Sequence, residues 1–255
     1  DTEGGAQQDR FLGGSQEISI KLAAALGDAV VLETPVRGIA QDGAGVMVEA
    51  EGLTARAQRA IVAVPPPLAA RTAFSPSLGG QRDQLQQRMA GGALTKCAAV
   101  YPEPFWRERG LTGQAVSDAG PISTTFDNSP PDGSPGVMLG FVAGPEAIRH
   151  ARRPEAERQR VVLDCFVRLF GEEAAHPGIY LERAWAEEEW SRGGPVCSPA
   201  PGALSAYGEA LRRPSGRIHW AGAETATIWC GYMDGAVRSG ERAAEEALDA
   251  EGWRL

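Results

Sequence analysis

The stretch that decides the fold is residues 217–248, RIHWAGAETATIWCGYMDGAVRSGERAAEEAL. Residues 217–221 are predicted to form a strand, because apolar Ile218 and Trp220 alternate with their neighbours. Gly222 then allows a sharp exit of the backbone, since glycine adopts conformations that other residues avoid. The stretch therefore predicts a strand that leads through a loop into a helix.

The helix of this stretch is predicted to open at Gly235. Asp234, one residue earlier, is a suitable N-cap for the free N–H groups of the first turn. Small residues at helical spacing predict an inner face that can approach a sheet closely. The residues of that predicted face are Val237, Gly240, Ala244 and Leu248. A helix N-terminus of this kind favours negative charge.

The motifs GAETAT and GYMDGAVRSGERAAEE, with Trp229 and Cys230 between them, closely resemble the carboxyl-terminal flavin signature of the FAD-dependent monoamine oxidases. The agreement runs through nearly contiguous positions, and the rest of the chain after its first few residues follows the order of that family. The alternative is a strand and a helix with coincidental glycines in another α/β protein, since fold-level analogy alone does not establish function.

Composition limits the function classes. With 255 residues and 43% hydrophobic composition, the chain can bury a substantial core in one or two domains. The net charge of −8 argues against nucleic-acid binding and favours cationic amines mildly. No apolar run approaches the roughly 20 residues of a membrane span, and no charged-then-apolar leader is present. We therefore expect a soluble protein without a membrane span.

The cysteines and histidines indicate neither a metal site nor a nucleophile. The cysteines, at 97, 165, 197 and 230, form no CxxC pair and have no neighbouring histidine in the sequence. A zinc site and a disulfide framework are therefore not indicated, and a reducing, cytoplasmic location fits best. No histidine stands beside a plausible serine or cysteine partner, so nucleophilic catalysis has little support.

A glycine-rich turn is missing from the sequence. The resemblance implies an amino-terminal βαβ turn that holds the ADP half of FAD. Gly13 and Gly14 precede a helix predicted at 16–26, with Ser15 as its N-cap, an apolar stripe of Ile18, Leu22 and Leu26, and Gly27 as its stop, and a strand is predicted at 29–33. The GxGxxG spacing and the later acidic residue are absent. We expect this turn to be carried by an amino-terminal segment or a companion chain of a longer or two-piece enzyme. A homodimer is a further expectation.

The domain organisation is predicted from a run of prolines. Residues 60–64 are continuously apolar, which is typical of a strand buried on both faces, and Pro65, Pro66 and Pro67 stop it. In the family, the chain passes here from the flavin domain into the substrate domain. The prediction is a mixed α/β fold with an FAD-binding portion at 1–65 and 215–255. A substrate domain with an antiparallel sheet and helices occupies 66–214.

Lys96 is unusual because it interrupts the apolar strand predicted at 94–101, LTKCAAVY. From the residues alone, an edge-strand or snorkelling lysine is the simpler interpretation. The resemblance implies instead that this lysine holds a water beside flavin N5. An ammonium there would favour negative charge that develops on the reduced flavin.

The resemblance also implies the residues that contact the amine. Tyr232 is expected to face the amine in front of the flavin, the alternative being an ordinary buried tyrosine with a hydrogen-bonded hydroxyl. Gln7 is expected to line the pocket, although its neighbour Gln8 leaves the register open. Trp229 has two interpretations, as a pocket wall or as a packing residue.

Other residues are implied to hold FAD. Val36 is expected to bind the adenine through its backbone, and Glu224 the ribityl or phosphate region, unless it serves as a cap. Met233 and Gly235 are expected at the pyrimidine edge. The remaining implied cofactor-binding residues are Trp190, Gly222 and Gly231.

The loop at 186–201 departs from the best-known members of the family. Counted without gaps from Trp185 to Gly202, Gly194 occupies the place of their flavin-linking cysteine, and Pro195 replaces the following tyrosine. We therefore predict non-covalent FAD, while nearby Cys197 leaves a local shift open.

The implied activity is the oxidation of a primary or other small amine by O2 to an imine and then an aldehyde, with production of hydrogen peroxide. Two alternatives remain open. One is a related polyamine or L-amino-acid oxidase; the latter requires an arginine clamp, which the sequence does not identify. The other is a non-catalytic fragment.

Overall fold

The computed structural model describes residues 9–253 and has a mixed α/β fold, which confirms the predicted class. The α-helices are α1 Gln16–Leu26, α2 Pro66–Ala69, α3 Gly80–Gln87, α4 Phe105–Glu108, α5 Pro145–Ala151, α6 Glu155–Phe170, α7 Ala203–Tyr207 and α8 Met233–Asp249. Short 3-10 turns are formed by Gly27–Ala29, Glu172–Ala175, Trp185–Glu187, Gly208–Leu211 and Ala223–Thr225.

The strands form larger antiparallel and mixed sheets and short ladders. They are β1 Val36–Gln41, β2 Val46–Ala50, β3 Leu53–Ala57, β4 Ala60–Val62, β5 Ala73–Ser75, β6 Met89–Gly91, β7 Leu94–Tyr101, β8 Ala115–Val116, β9 Thr124–Asp127, β10 Gly136–Ala143, β11 Ile179–Ala184, β12 Cys197–Pro199 and β13 Ile218–Trp220. The sheet orders are β3-β2-β1-β5, β11-β7-β10-β9-β8, β12-β6 and β13-β4.

The antiparallel sheet β11-β7-β10-β9-β8 packs one face against α6. The helix turns Val162, Cys165, Phe166 and Phe170 inward, because they recur at helical spacing. They join a core that includes the fully buried Trp106. Since β7 alternates between buried and partly exposed residues, its second face is left toward solvent. That second face carries Lys96.

The second core lies around the parallel pair β4 and β13. Ile218 pairs with Ala60, and Trp220 pairs with Val62. Each strand is three residues long, and β13, which includes His219, is buried throughout. The prediction that the 60–64 strand is buried on both faces is wrong, because Ile61 of β4 is 42% exposed. The pairing brings the predicted FAD-binding segments 1–65 and 215–255 into contact. Strand β5, which lies after residue 65, adds in parallel to β1 of the same half.

Helix α1 has the predicted bounds but not the predicted packing. Ser15 makes no side-chain capping bond, and the helix contains no buried residue. Leu22 and Leu26 of its apolar stripe are 57% and 60% exposed. A strand predicted at 29–33 is absent, and Gly27–Ala29 instead forms a 3-10 turn. The apolar stripe is therefore present without a partner among residues 9–253.

Helix α8 corrects two predictions. It begins at Met233, and Asp234 lies within the first turn, where its carboxylate pairs with Arg238 at 2.5 Å instead of capping the helix. The buried face is Gly235, Ser239 and Ala243, whereas the predicted face included Val237, which is exposed. The contacts of Gly235 with the preceding loop and of Ser239 with Gly222 set the rotation of the helix.

Among residues 9–253, none of the helices combines the length and the apolar character that crossing a bilayer requires.

Candidate functional site

The site is built on the connection between β13 and α8. Gly222 ends the strand with φ +112°, a backbone conformation that favours glycine. Its N–H donates to the hydroxyl of buried Ser239 at 2.9 Å, and its carbonyl accepts from the Thr225 hydroxyl at 2.9 Å. The connection is therefore fastened to the helix that follows it.

Two further glycines allow close packing of this connection. A Cβ on Gly231, which has φ +84°, would lie 2.7 Å from Cγ1 of Val196. A Cβ on Gly235 would overlap the carbonyl of Trp229. The Val196 side chain at Gly231 and the Trp229 backbone at Gly235 occupy the space that a Cβ would need, which explains the glycines at these positions.

Trp229 and Tyr232 form an exposed aromatic pair. Their ring centroids lie 5.5 Å apart at 79°, and the side chains are 50% and 43% exposed. Within the described chain Tyr232 is therefore not buried, and its role stays a prediction. Trp229 has φ +54°, a strained conformation for an aromatic residue that costs about 1–3 kcal/mol. Such strain persists only where the surroundings enforce it.

Glu224 connects this loop to the one at 186–201. Its Oε1 accepts the backbone N–H of Cys197 at 3.1 Å. Burial, followed by the neighbouring carboxylate, raises the pKa of the Cys197 thiol to about 12. The thiol is therefore protonated at neutral pH. The sequence offered no signal for this contact, because the partners are far apart in the chain.

The loop at 186–201 is attached to the entry of β7. The N–H of Gly92 donates to Val196 at 3.1 Å, and the N–H of Gly194 donates to Gly92 at 2.8 Å. The gap-free counterpart of the flavin-linking cysteine thus lies beside the start of the strand that carries Lys96. A Cβ on Gly194 would stand 3.8 Å from the Cβ of Trp185, which is ordinary contact.

Lys96 lies in a central strand. It pairs with Phe141 of β10 on one side and with Arg183 of β11 on the other, so the edge-strand interpretation is wrong. Its Nζ stands 5.6 Å from the centroid of the Phe141 ring, within the range of a cation–π interaction. Phe141 in turn packs edge-on against Phe126. Lys96 is therefore an exposed cation on a sheet face that also carries Phe141 and the exposed Arg183.

A polar cluster lies behind Lys96, on the buried face of the sheet. Glu182 accepts hydrogen bonds from Arg158 at 2.6 Å, Tyr180 at 2.9 Å and His150 at 3.3 Å. Burial alone raises the pKa of Glu182, but these donors outweigh it and hold the pKa at about 2.

The same cluster contains Cys97, which is directly opposite Glu182 in the strand register. Potential ligand atoms of Cys97, His150 and Glu182 all lie within 4.8 Å of one another. The sequence kept these residues apart, and only the fold brings the thiol and the imidazole together. The hydrogen bonds to Glu182 already use its oxygens, and Arg158 adds positive charge, so the cluster is a hydrogen-bonded network that joins β11 to α5 and α6.

Arg37, the residue after Val36, contacts the predicted cofactor-binding residue Trp190. Val36 is exposed at the start of β1, and its neighbour Arg37 holds its guanidinium carbon 5.7 Å from the Trp190 ring centroid. Trp190 is also exposed. The only sequence signal for Arg37 is that it directly follows Val36, a predicted cofactor-binding residue.

Gln7 lies outside the described residues. Arg10, close to it in the sequence, donates to the Asn128 side chain at 2.7 Å and to the Ser129 carbonyl at 2.6 Å. The chain that follows Gln7 is thus tied to the hairpin between β9 and β10, the hairpin that carries Phe126 and Phe141.

Comparison with known proteins bears on this arrangement. Residues 1–248 match the family model described as flavin containing amine oxidoreductase. The chain is 46% identical over 251 residues to a probable flavin-containing monoamine oxidase A of Dictyostelium discoideum, covering 98% of this chain and 55% of that protein. It is 41% identical over 255 residues to amine oxidase [flavin-containing] B of Sus scrofa, covering 98% and 49%.

Solved structures agree with the sequence relatives. A putrescine oxidase bound to putrescine superposes with a TM-score of 0.90 at 36% identity, covering 93% of this chain and 53% of that one. Cyclohexylamine oxidase from Brevibacterium oxydans IH-35A has the same TM-score and identity, with coverage of 94% and 53%. The chain spans about half the length of the relatives it matches. From the family match along nearly its whole length, the chain belongs to the flavin-containing amine oxidoreductases.

Proposed function

We propose that this chain forms the amine-facing part of an FAD-dependent amine oxidase. The reaction is oxidation of a primary or other small amine to an imine, which water converts to an aldehyde or ketone with release of ammonia, while O2 is reduced to hydrogen peroxide. The observation that carries the proposal is the exposed pair Trp229 and Tyr232. It stands at the entry of α8, whose N-terminus has no side-chain cap.

The residues around α8 fit a flavin. The N-terminus of α8 has no side-chain cap and favours negative charge. Gly222, Gly231 and Gly235 let a planar ligand or backbone approach closely. We assign Met233 and Gly235 to the pyrimidine edge and Glu224 to the ribityl or phosphate region. Gly222, Gly231, Val36 and Trp190 complete the proposed binding residues. FAD, when bound, supplies the two-electron redox chemistry.

We assign the aromatic pair to the amine. The ring of Tyr232 guides the neutral amine, and Trp229 supports that ring edge-on at 5.5 Å. Holding the reacting C–H bond in one orientation removes much of the entropic cost of reaction. Gln7 is assigned to the same pocket. Pro195 occupies the position of a second tyrosine in the best-known relatives. In this chain the amine is therefore guided by an aromatic ring on one side only, that of Tyr232.

Lys96 is assigned to the oxygen side of the reaction. Its ammonium holds a water by hydrogen bonding and lowers the energy of negative charge that develops nearby, an effect that is strong where bulk water is excluded. The flanking Phe141 and Phe126 rings supply the apolar surroundings. The hydrogen-bonded network at Glu182 lies on the opposite face of the same sheet.

A further polypeptide segment is part of the proposal. Accessible surface amounts to 15412 Å² for this 26.9 kDa chain. A compact protein of that mass exposes about 10,800 Å². The exposed surface includes the apolar stripe of α1 and the sheet face that carries Lys96. We assign the covering role to an amino-terminal segment or companion chain that carries the glycine-rich FAD-binding turn, since residues 1–255 contain no GxGxxG motif.

Organisation and location complete the proposal. Residues 1–65 and 215–255 form the FAD-binding portion, supported by the β4–β13 ladder, and 66–214 form the substrate domain. The cytoplasm is the proposed compartment because all the cysteines are free thiols. A homodimer is proposed for the complete enzyme.

The test compares the 255-residue chain alone with the chain joined to, or coexpressed with, the glycine-rich segment. We expect only the second preparation to be yellow and to release hydrogen peroxide from a panel that includes putrescine, cyclohexylamine and an arylmethylamine. Tight stoichiometric FAD binding by the chain alone would sink the assignment of a further segment. An FAD-loaded protein that oxidises no amine in the panel would favour the non-catalytic alternative.

A further inference from the structure

The loop that carries Trp229 and Tyr232 accepts hydrogen bonds from a side chain outside it, that of Arg212. Arg212 donates through Nε to the Thr225 carbonyl at 2.7 Å and through Nη2 to the Ala226 carbonyl at 3.3 Å. Hydrogen bonds from a charged donor are stronger than those between neutral groups. The planar guanidinium suits two adjacent carbonyls, whereas a lysine ammonium offers one point charge on a flexible stem.

A second arginine holds the segment that carries Arg212. Arg82 is 3% exposed and donates through Nη1 to the carbonyls of Ala210 and Leu211, at 2.8 and 2.9 Å. Its guanidinium carbon also lies 3.5 Å from the centroid of the Trp220 ring. The backbone just before Arg212 and the Trp220 ring of β13 therefore both contact the buried guanidinium of Arg82.

The turn that Arg212 holds, Thr225–Ala226, is close in sequence to Trp229, whose backbone is strained. Ala226 precedes Trp229 by only a few residues, and Trp229 has φ +54°. A non-glycine residue keeps such a conformation only when its surroundings over-determine it. Arg242 donates to the Trp220 carbonyl at 2.7 Å and to the Thr225 hydroxyl at 3.2 Å, so it anchors the beginning of the loop. Arg212 is the side-chain anchor at Thr225 and Ala226, while the N–H of Gly231, between the two aromatic residues, donates to the Ala223 carbonyl at 3.2 Å.

We propose that Arg212 is a positioning residue that holds the Thr225–Ala226 turn and thereby sets the orientation of Trp229 and Tyr232. Arg212 belongs to the predicted substrate domain, and the turn belongs to the predicted FAD-binding portion, so the contact also fixes the two relative to each other. The effect on catalysis rests on the proposed function, whereas the effect on the order of the loop does not.

The test uses Arg212→Lys in the complete protein, with Arg213→Lys as the matched control, because Arg213 is the exposed next residue. The native reporter is the exposed thiol of Cys230, whose Sγ lies 3.9 Å from the Glu224 carbonyl in the same loop. Alkylation by iodoacetamide in the FAD-free protein is followed by peptide mapping. We expect labelling of Cys230 to accelerate about fivefold or more in Arg212→Lys, as local order is lost, and to stay unchanged in Arg213→Lys.

Buried Cys97 and Cys165 report global unfolding in the same digests. Faster labelling of these two along with Cys230 would mean that Arg212 maintains the whole fold, which overturns the proposal. An unchanged rate at Cys230 overturns it as well. These readouts need no amine oxidation, so they remain decisive even when the proposed function fails.

The catalytic readout separates the two half-reactions in the FAD-loaded enzyme. We expect Arg212→Lys to slow anaerobic reduction by the amine roughly tenfold or more and to leave reaction with oxygen within about twofold, because Tyr232 acts on the amine. Equal slowing of both half-reactions overturns the positioning role.

Discussion

The backbone N–H of Cys197 donates to Oε1 of Glu224 at 3.1 Å, although the residues lie 27 positions apart. The contact joins the loop in which Gly194 replaces a linking cysteine to the loop that presents Tyr232. The loop at 186–201 is thus held in place by a carboxylate and by backbone bonds to Gly92. It does not need a covalent bond to a cofactor to keep its shape.

That arrangement leads to the first prediction, that FAD is non-covalent. The gap-free position of the linking sulfur is Gly194, followed by Pro195. Denaturation of the complete enzyme by acid or heat and then filtration should release yellow cofactor into the filtrate. Many hydrogen bonds and apolar contacts are enough for tight retention before denaturation. Colour that stays with a peptide containing Cys197 or Cys230 would show that the loop is aligned wrongly.

Lys96→Met should slow the reaction of the reduced enzyme with oxygen more than it slows reduction of the enzyme by the amine. We expect the reaction of the reduced enzyme with oxygen to slow roughly tenfold or more, because the ammonium that favours developing negative charge is removed. Stopped-flow measurement of the two half-reactions checks this. Lys21→Met is the control, since Lys21 is an exposed residue of α1. Equal slowing of both half-reactions by Lys96→Met would assign Lys96 a structural role only.

Two glycines of α8 should respond to alanine in opposite directions. Gly235→Ala places a Cβ on the Trp229 carbonyl, so we expect a loss of about 2–4 kcal/mol in the free energy of unfolding. Gly240→Ala meets nothing within 4 Å and should gain about 0.5–1 kcal/mol from helix propensity. Urea denaturation of both variants measures the difference. Similar effects of the two substitutions would contradict the close approach at Gly235.

The hydrogen-bonded network at Glu182 should make the free energy of unfolding depend on pH in the acid range. Its pKa in the folded protein is about 2, against an ordinary value of 4.5. A lowered pKa stabilises the fold fully above the ordinary value and progressively less as pH falls toward 2. The shift corresponds to about 3 kcal/mol, so Glu182→Gln should lose stability of that order at pH 7, with the deficit shrinking below about pH 4.5.

The control for this prediction is Glu188→Gln. Glu188 pairs with Arg183 in a more exposed ion pair, which contributes about 0–1 kcal/mol. Denaturant unfolding at several pH values between 2 and 7 gives both curves. A Glu182→Gln deficit that stays constant over that range would mean that the ionised carboxylate is not the stabilising species.

Local pattern was sufficient for several elements. The apolar spacing and Gly27 predicted the bounds of α1, and the run LTKCAAVY predicted β7. The terminal motif predicted the family because its glycines, Glu224 and GYM stand nearly contiguous, and the family match confirms it. The roles of individual site residues stay predictions. Non-covalent FAD likewise depends on the experiment above.

Sequence alone determined the family, the mixed α/β class and the linear order of strand, loop and helix around Tyr232, because these follow from neighbouring residues. Tertiary structure decided which face of α8 is buried, since Gly235 and Ser239 meet elements remote from the helix. It also made β7 a central strand and brought Cys97, His150 and Glu182 together. These outcomes depend on contacts between distant parts of the chain, whose geometry is set by packing and hydrogen bonding rather than by local spacing.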